Sequence, residues 1–439
     1  MRFAVRVLCV GWAVVVTGCH SIERNGLGLL PRRTDAAVGT AAGGEGSTGV
    51  PPGDARIRGN DRATAIAPSA TAPEGAPDFT EATVRAAVGK AHAVLWTGVE
   101  GHAEHRSCFT CHTHGVPMLA FATARDRGFA VPEKDFAELV EFATAYFESN
   151  RERFLRGRGP GPLSLGGATD TTGWGLFALE LAGKTPDATT AAVVEYTLQR
   201  DQERDYWTTW GPSRLPAEGS AFMPTALAVR GLRAYGLPEH RERIAKRVAA
   251  ARGWLLRTPA RDTEDRVFRL IGLQATGAAP DDLRRAAADL AHAQRADGGW
   301  GQTDAMASDA YATGSALSAL RMAGDVPAAD PAYRRGVAYL LRTQLDDGSW
   351  HVRSHSFPVQ PYYESGFPHG KDQFISAAAT GWAATALALA CPVAGEPGRP
   401  ASGRLAGTPD EVPHRPGPVR QPDAADGQEE HPVPARGTE

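Results

Sequence analysis

Gln294-Arg295-Ala296-Asp297-Gly298-Gly299-Trp300 and Gln344-Leu345-Asp346-Asp347-Gly348-Ser349-Trp350 are two copies of one pattern. Each sets a glutamine ahead of a glycine and a tryptophan at the same offsets, and the copies stand roughly fifty residues apart, a repeat-protein spacing. Gln199 with Trp207 or Trp210 is a degenerate third copy. Each copy joins two kinds of helix. On the C-terminal side lie small-residue, apolar segments: Thr172-Gly173-Trp174-Gly175-Leu176, Thr313-Gly314-Ser315-Ala316-Leu317 and Thr380-Gly381-Trp382-Ala383-Ala384. Met223-Pro224-Thr225-Ala226-Leu227 and Phe268-Arg269-Leu270-Ile271-Gly272 are looser versions. Helices apolar all round are buried on more than one side. They alternate with helices charged on one face, such as Arg241-Glu242-Arg243-Ile244-Ala245-Lys246-Arg247 and Asp281-Asp282-Leu283-Arg284-Arg285. Strict alternation describes two concentric rings. Helical periodicity, cut by Gly and Pro, predicts helices over 79–96, 115–128, 133–156, 169–183, 187–201, 221–236, 239–257, 263–277, 280–295, 307–323, 330–345 and 373–390. Six of each kind close an all-α (α/α)6 toroid, with no strands of period two.

The Gln…Gly-x-Trp pattern resembles the repeat of the squalene cyclase and protein prenyltransferase superfamily, over most of residues 160–391. The resemblance implies that the glutamine caps helix ends and that the tryptophan stacks on the neighbouring repeat. It also implies a central cavity for an apolar or isoprenoid molecule, lined here by Trp174, Phe222, Met223, Phe268, Tyr311 and Trp382. Squalene-hopene cyclases protonate their substrate with an Asp-x-Asp-Asp motif. The nearest stretch is Asp262-Thr263-Glu264-Asp265, read as a helix start whose acids cap the helix and suit its dipole. Asp262, Asp265 and Asp309 are the candidate acids. The zinc ligands of prenyltransferases find no match. Asp309 aligns with the first, Tyr311 stands where the cysteine falls, and Phe374, Ile375 and Ser376 stand where the histidine falls.

Cys108-Phe109-Thr110-Cys111-His112 has the spacing that attaches a c-type haem: two thioethers from Cys108 and Cys111, and His112 as proximal ligand to the iron. A redox dithiol uses the same residues, as does half a zinc site, to which His114 adds a ligand but for which the sequence has no second CxxC pair. Distal candidates are His102, His105, His114 and Met118 close to the motif, and His355 and His369 from across the rim. The motif separates the first outer helix from the first inner one, as the Trp300 and Trp350 loops separate later pairs. It is therefore expected on the same rim as Trp207, Trp210, Trp300, Trp350 and the long aromatic loop 351–372, whose length suits a lid or binding loop.

The first residues set the compartment. Arg2 and Arg6 precede an apolar run over 7–16, too short to span a bilayer, which reads as a signal peptide over 1–18. Val16-Thr17-Gly18-Cys19 resembles the lipobox of bacterial lipoproteins, so Cys19 is the expected site of acylation and the membrane the expected partner. Residues 19–77 read as a flexible tether and 392–439 as a Pro/Gly-rich tail, leaving 78–391 as the folded domain. The expected location is the periplasmic side of the cell envelope, where c-type haem is attached. With 47 Lys and Arg against 50 Asp and Glu, the chain has no basic excess, which excludes a nucleic-acid partner. The expectation is an anchored haem c protein that transfers electrons to a partner protein or oxidises an isoprenoid ligand. The alternatives are an isoprenoid cyclase or transferase, and a non-enzymatic scaffold.

Overall fold

The computed structural model describes residues 79–161, 168–209, 215–217, 219–357 and 361–394. The expected leader, Cys19, the tether, Trp210 and nearly all of the tail lie outside them. The chain runs through α1 (Glu81–His105), a π turn (Cys111–Gly115) continuing into α2 (Val116–Arg125), α3 (Glu133–Ser149), α4 (Arg151–Leu155), α5 (Ala168–Leu181) and α6 (Ala188–Gln199). It continues with α7 (Phe222–Tyr235), α8 (Arg241–Arg257), α9 (Thr263–Ala275), α10 (Pro280–His292), α11 (Ala310–Met322), α12 (Pro331–Thr343) and α13 (Gln373–Leu389).

Helices α2, α5, α7, α9, α11 and α13 each pack on the next, and α13 returns to α2, closing the inner ring. Every residue of α11 is buried, as a helix covered on all sides requires. The outer ring is α1, the α3–α4 pair, α6, α8, α10 and α12. The fold is an all-α toroid of paired helices. Among the described residues the only strands are a two-residue antiparallel ribbon, in which Trp300 pairs with Asp309 and Gly301 with Ser308.

Three tryptophans tie the pairs together in one way. Trp207, Trp300 and Trp350 are each at most 1% exposed. Their indole Nε1 groups donate back to carbonyls of the preceding outer helix, on Thr197, Leu290 and Leu340, at 2.9, 2.9 and 3.0 Å. Their backbone N–H groups donate forward to Thr225, Thr313 and Thr380 of the following inner helix. A buried indole needs such a partner. Trp207 is thus the third copy of the repeat. It lacks the glutamine arrangement of the other two; instead the Arg247 guanidinium lies 3.9 Å over its ring and bonds the Asp201 and Arg204 carbonyls.

The glutamines make the link between repeats. Gln294 Nε2 donates to Gly298 O and to Ala332 O of the next outer helix. Gln344 Nε2 donates to Gly348 O and to Ala87 O of α1. That second bond joins the last repeat to the first. Gly348 makes the junction possible: with φ +90°, a Cβ there would lie 2.5 Å from the Lys90 carbonyl carbon. Gly314 and Gly381 serve the inner ring, where a Cβ would meet α13 at 2.6 Å and Val116 at 2.8 Å.

The first helix runs to His105 rather than stopping near residue 96. Val99 and His102 of this extension are buried, and Gly98 and Gly101 let Phe367 and the Ser365 carbonyl approach its last turns. Ser365 and Phe367 therefore hold the extension in place.

Candidate functional site

One end of the ring opens into an apolar cavity of about 390 Å³. Its inner wall is made by Val116, Trp174, Tyr311 and Ala378, all at most 6% exposed. Its mouth is made by Leu215, Phe357, Tyr362 and Lys371, all exposed. Cys111 and His112 of the π turn complete the wall on the α2 side. The rim expected from topology thus brings the Cys111–His112 step, the long loop and the ring centre to one space.

Several expected cavity residues are elsewhere. Phe268 and Trp382 pack edge-on against Trp174, with centroids at 6.4 and 6.0 Å, and fill the ring centre behind it. Phe222 turns outward onto Trp254 of α8, 4.7 Å away, and Met223 is buried in the core. Position along an inner helix decides this, since residues a few positions apart on one helix face different neighbours.

None of the six expected distal ligands lines the cavity that His112 lines; His355 Nε2 lies 2.6 Å from Gln302 Oε1 and His369 Nε2 lies 2.7 Å from Ser349 Oγ. His102 has both ring nitrogens engaged: Nδ1 lies 2.6 Å from Tyr363 Oη and Nε2 lies 2.9 Å from Cys108 O. Burial lowers its pKa to about 4. His105 Nδ1 lies 2.8 Å from its own helix carbonyl at Gly101, and its ring stacks on Tyr363. His114 is sandwiched between Phe109 and Phe142, at 5.3 and 4.5 Å, with Nδ1 accepting the Thr110 N–H; burial lowers its pKa too. Met118 is fully buried in the core. These residues shape the shell of the π turn. Cys108 sits on that side as well, its Sγ 4.0 Å from His102 Nε2, whereas Cys111 Sγ lies 3.8 Å from His112 Nδ1. The donors of a covalent haem, two thiols and an imidazole, therefore fit in kind, with Cys111 and His112 facing the open space.

The candidate acids are placed by α9 and α11. Asp262 is the N-cap of α9 and accepts the Asp265 N–H. Asp265 accepts the Arg261 N–H, with the Arg261 guanidinium beside it. Asp309 caps α11, accepting from Ala312 N and Gln302 Nε2. Asp262 and Asp309 are occupied as caps, while Asp265, 0% exposed, engages Arg261 through Oδ2 and leaves Oδ1 buried without a hydrogen-bond partner. The acid that bonds to a residue of the cavity wall is Glu264, which the cap reading passed over. It is 5% exposed, and Tyr311 Oη lies 3.2 Å from its Oε1. Burial, and then the negative charge of Asp262, push the Glu264 carboxyl up to about 8, against the pull of the Tyr311 bond. At neutral pH it holds its proton. The signal was in the sequence: Val267, Phe268 and Ile271 follow Glu264 at i+3, i+4 and i+7, which puts Glu264 on the buried stripe of α9.

Comparison with known proteins bears on the fold. Residues 264–370 match the squalene-hopene cyclase C-terminal domain family. A squalene–hopene cyclase of Bradyrhizobium diazoefficiens is 37% identical over 126 residues, 24% of this chain and 18% of that protein. The chain thus spans under a fifth of the curated relative. Type II terpene cyclase MstE from Scytonema is similar in structure. Its apo form aligns over 71% of this chain and 98% of that one, at 16% identity and a TM-score of 0.46. A variant of the same cyclase in complex with its product, merosterolic acid A, aligns over 71% and 97%, at 16% identity and 0.45. Residues 264–370 are thus similar to the C-terminal domain of squalene-hopene cyclases. Asp262-Thr263-Glu264-Asp265 keeps acids at the first, third and fourth positions, with glutamate in the third.

Proposed function

We propose that the protein is an isoprenoid cyclase or isomerase that starts its reaction by proton transfer from the Glu264–Tyr311 pair. The observation that carries this reading is a buried carboxyl hydrogen-bonded to a phenol that forms the wall of an apolar cavity, with burial raising the carboxyl's pKa. Tyr311 Oη gives its proton to one carbon of a substrate double bond and takes the Glu264 proton in turn. The product of that step is a carbocation in the cavity and a carboxylate on Glu264. The faces of Trp174 and Tyr311 offer the cation an electron-rich wall. A second double bond closes onto the cation, and loss of a proton back through Tyr311 restores Glu264. Apolar walls keep water from the cation. The residue pattern at 262–265, the squalene-cyclase-like repeat and the cavity all support this assignment. The test is incubation of the purified protein with acyclic isoprenoids in heavy water. The expected product carries one deuterium from solvent and is absent for Glu264→Gln. Equal conversion by Glu264→Gln overturns the reading.

A second reading rests on Cys111 and His112 in the cavity wall. Cys108 and Cys111 would carry a covalent haem and His112 would be its proximal ligand; the group would supply one-electron chemistry. In this reading Phe374, whose ring centroid lies 5.1 Å from that of His112, helps to orient the imidazole. Cys19 acylation would hold the protein at the envelope, on the side where haem is attached. Protein produced with haem-attachment machinery is expected to show a Soret band that survives acid–acetone extraction; a colourless product removes this reading and leaves the first intact.

A further inference from the structure

We propose that the cavity selects an amphiphile with an anionic head group, held at the mouth by Lys371, rather than a neutral hydrocarbon. This rests on the cavity reading above and names the class of its ligand. Lys371 is the one lysine or arginine among the described lining residues, and no aspartate or glutamate is among them. It stands exposed in the single turn Gly370–Asp372 that leads into α13. The two acids nearest in sequence are engaged with other groups. Asp372 is held by His351 Nε2 at 2.8 Å and by the Ser354 N–H at 2.8 Å. Glu364 accepts the Tyr362 hydroxyl. Both keep their charge, but neither lines the cavity, so Lys371 is the one side chain of fixed charge among its described lining residues.

Polarity is graded along the cavity. Lys371 and the exposed rings of Phe357 and Tyr362 stand at the mouth, while Trp174, Val116 and Tyr311 stand inside. An anionic head paired with Lys371 stays in water, where its charge costs least. The hydrocarbon tail then runs inward, with its far end toward Tyr311. Glu264, neutral at pH 7, adds no charge to repel the ligand. This fixes which end of the molecule meets the acid: the tail end, remote from the head group.

The experiment compares farnesol and farnesoic acid, matched in chain and different in charge, by isothermal titration at pH 7.5 in low salt. The full chain is used, with Lys371→Gln, Lys371→Arg and Glu264→Gln beside it. The wild type is expected to bind the carboxylate about fivefold more tightly, the ratio one exposed charge pair supplies. Lys371→Gln brings the ratio to about one and Lys371→Arg keeps it, while added salt lowers it in the wild type. Glu264→Gln leaves the ratio unchanged, so loss of turnover in that variant is read separately. Equal wild-type affinities, no binding of either probe, or a ratio unmoved by Lys371→Gln each overturn the proposal.

Discussion

Glu264→Gln reports on the buried acid without a substrate in hand. The carboxyl sits at about 8 in the folded chain against an ordinary 4.5. Between those values the folded state holds a proton that the unfolded state has lost. Stability therefore falls as pH rises through this window, by about 1.4 kcal/mol per pH unit at most. From pH 5.5 to 7.5 the loss attributable to Glu264 is about 3 kcal/mol as an upper limit. Glutamine has the same shape, cannot ionise, and can still bond to Tyr311, so its contribution is flat over this range. Guanidinium denaturation of both proteins at both pH values gives the double difference. Other titrating groups, including the raised Asp262, cancel in it to first order. The wild type is expected to lose more stability than the variant between pH 5.5 and 7.5, and the variant to be the more stable protein at the higher pH. Identical pH dependence would mean that Glu264 is charged in the fold, and the proton-transfer proposal would fall with it.

Gly348→Ala combines a left-handed φ of +90° with a Cβ 2.5 Å from the α1 backbone, and is expected to cost about 3 kcal/mol. Gly370→Ala, at φ +52° with open space around it, is the control and should cost about 1 kcal/mol; equal losses in denaturation midpoints would show that ring closure at α1 is not tight. Arg230 lies 2.7 Å from Glu180 and 4.2 Å over Phe177 in the core, and burial raises the Glu180 pKa. Arg230→Ala should destabilise by about 3 kcal/mol because it strands that acid. The double variant Arg230→Met with Glu180→Gln should recover part of the loss, and a double variant worse than the single one would contradict the pairing.

The toroid was legible because its signals are local and repeated. Each Gln…Gly-x-Trp unit finds its bond partners on the two helices it joins or on the next outer helix round the ring, so Trp300 and Trp350 read alike in sequence and pack alike in space. The cavity was legible only in part. Its mouth is assembled from Leu215, Phe357, Tyr362 and Lys371, and no periodicity links a loop at 215 to one at 357. The histidines around the CxxCH step show a different limit. His102 and His114 are close to it in sequence, and whether each meets a metal or a protein atom depends on Tyr363 and Phe142, which approach from other elements. Glu264 combines the two cases. Its place on the buried stripe of α9 follows from the spacing of Val267, Phe268 and Ile271, yet a buried glutamate at a helix start says nothing by itself about chemistry. Its role turns on Tyr311, which lies 47 residues away in sequence at the start of the next inner helix. A toroid brings the first turns of its inner helices together at one end of the ring, so acids that begin those helices to satisfy backbone N–H groups are already gathered at the cavity's edge. One inward rotation, from Asp262 to Glu264, separates a cap from the proposed proton donor.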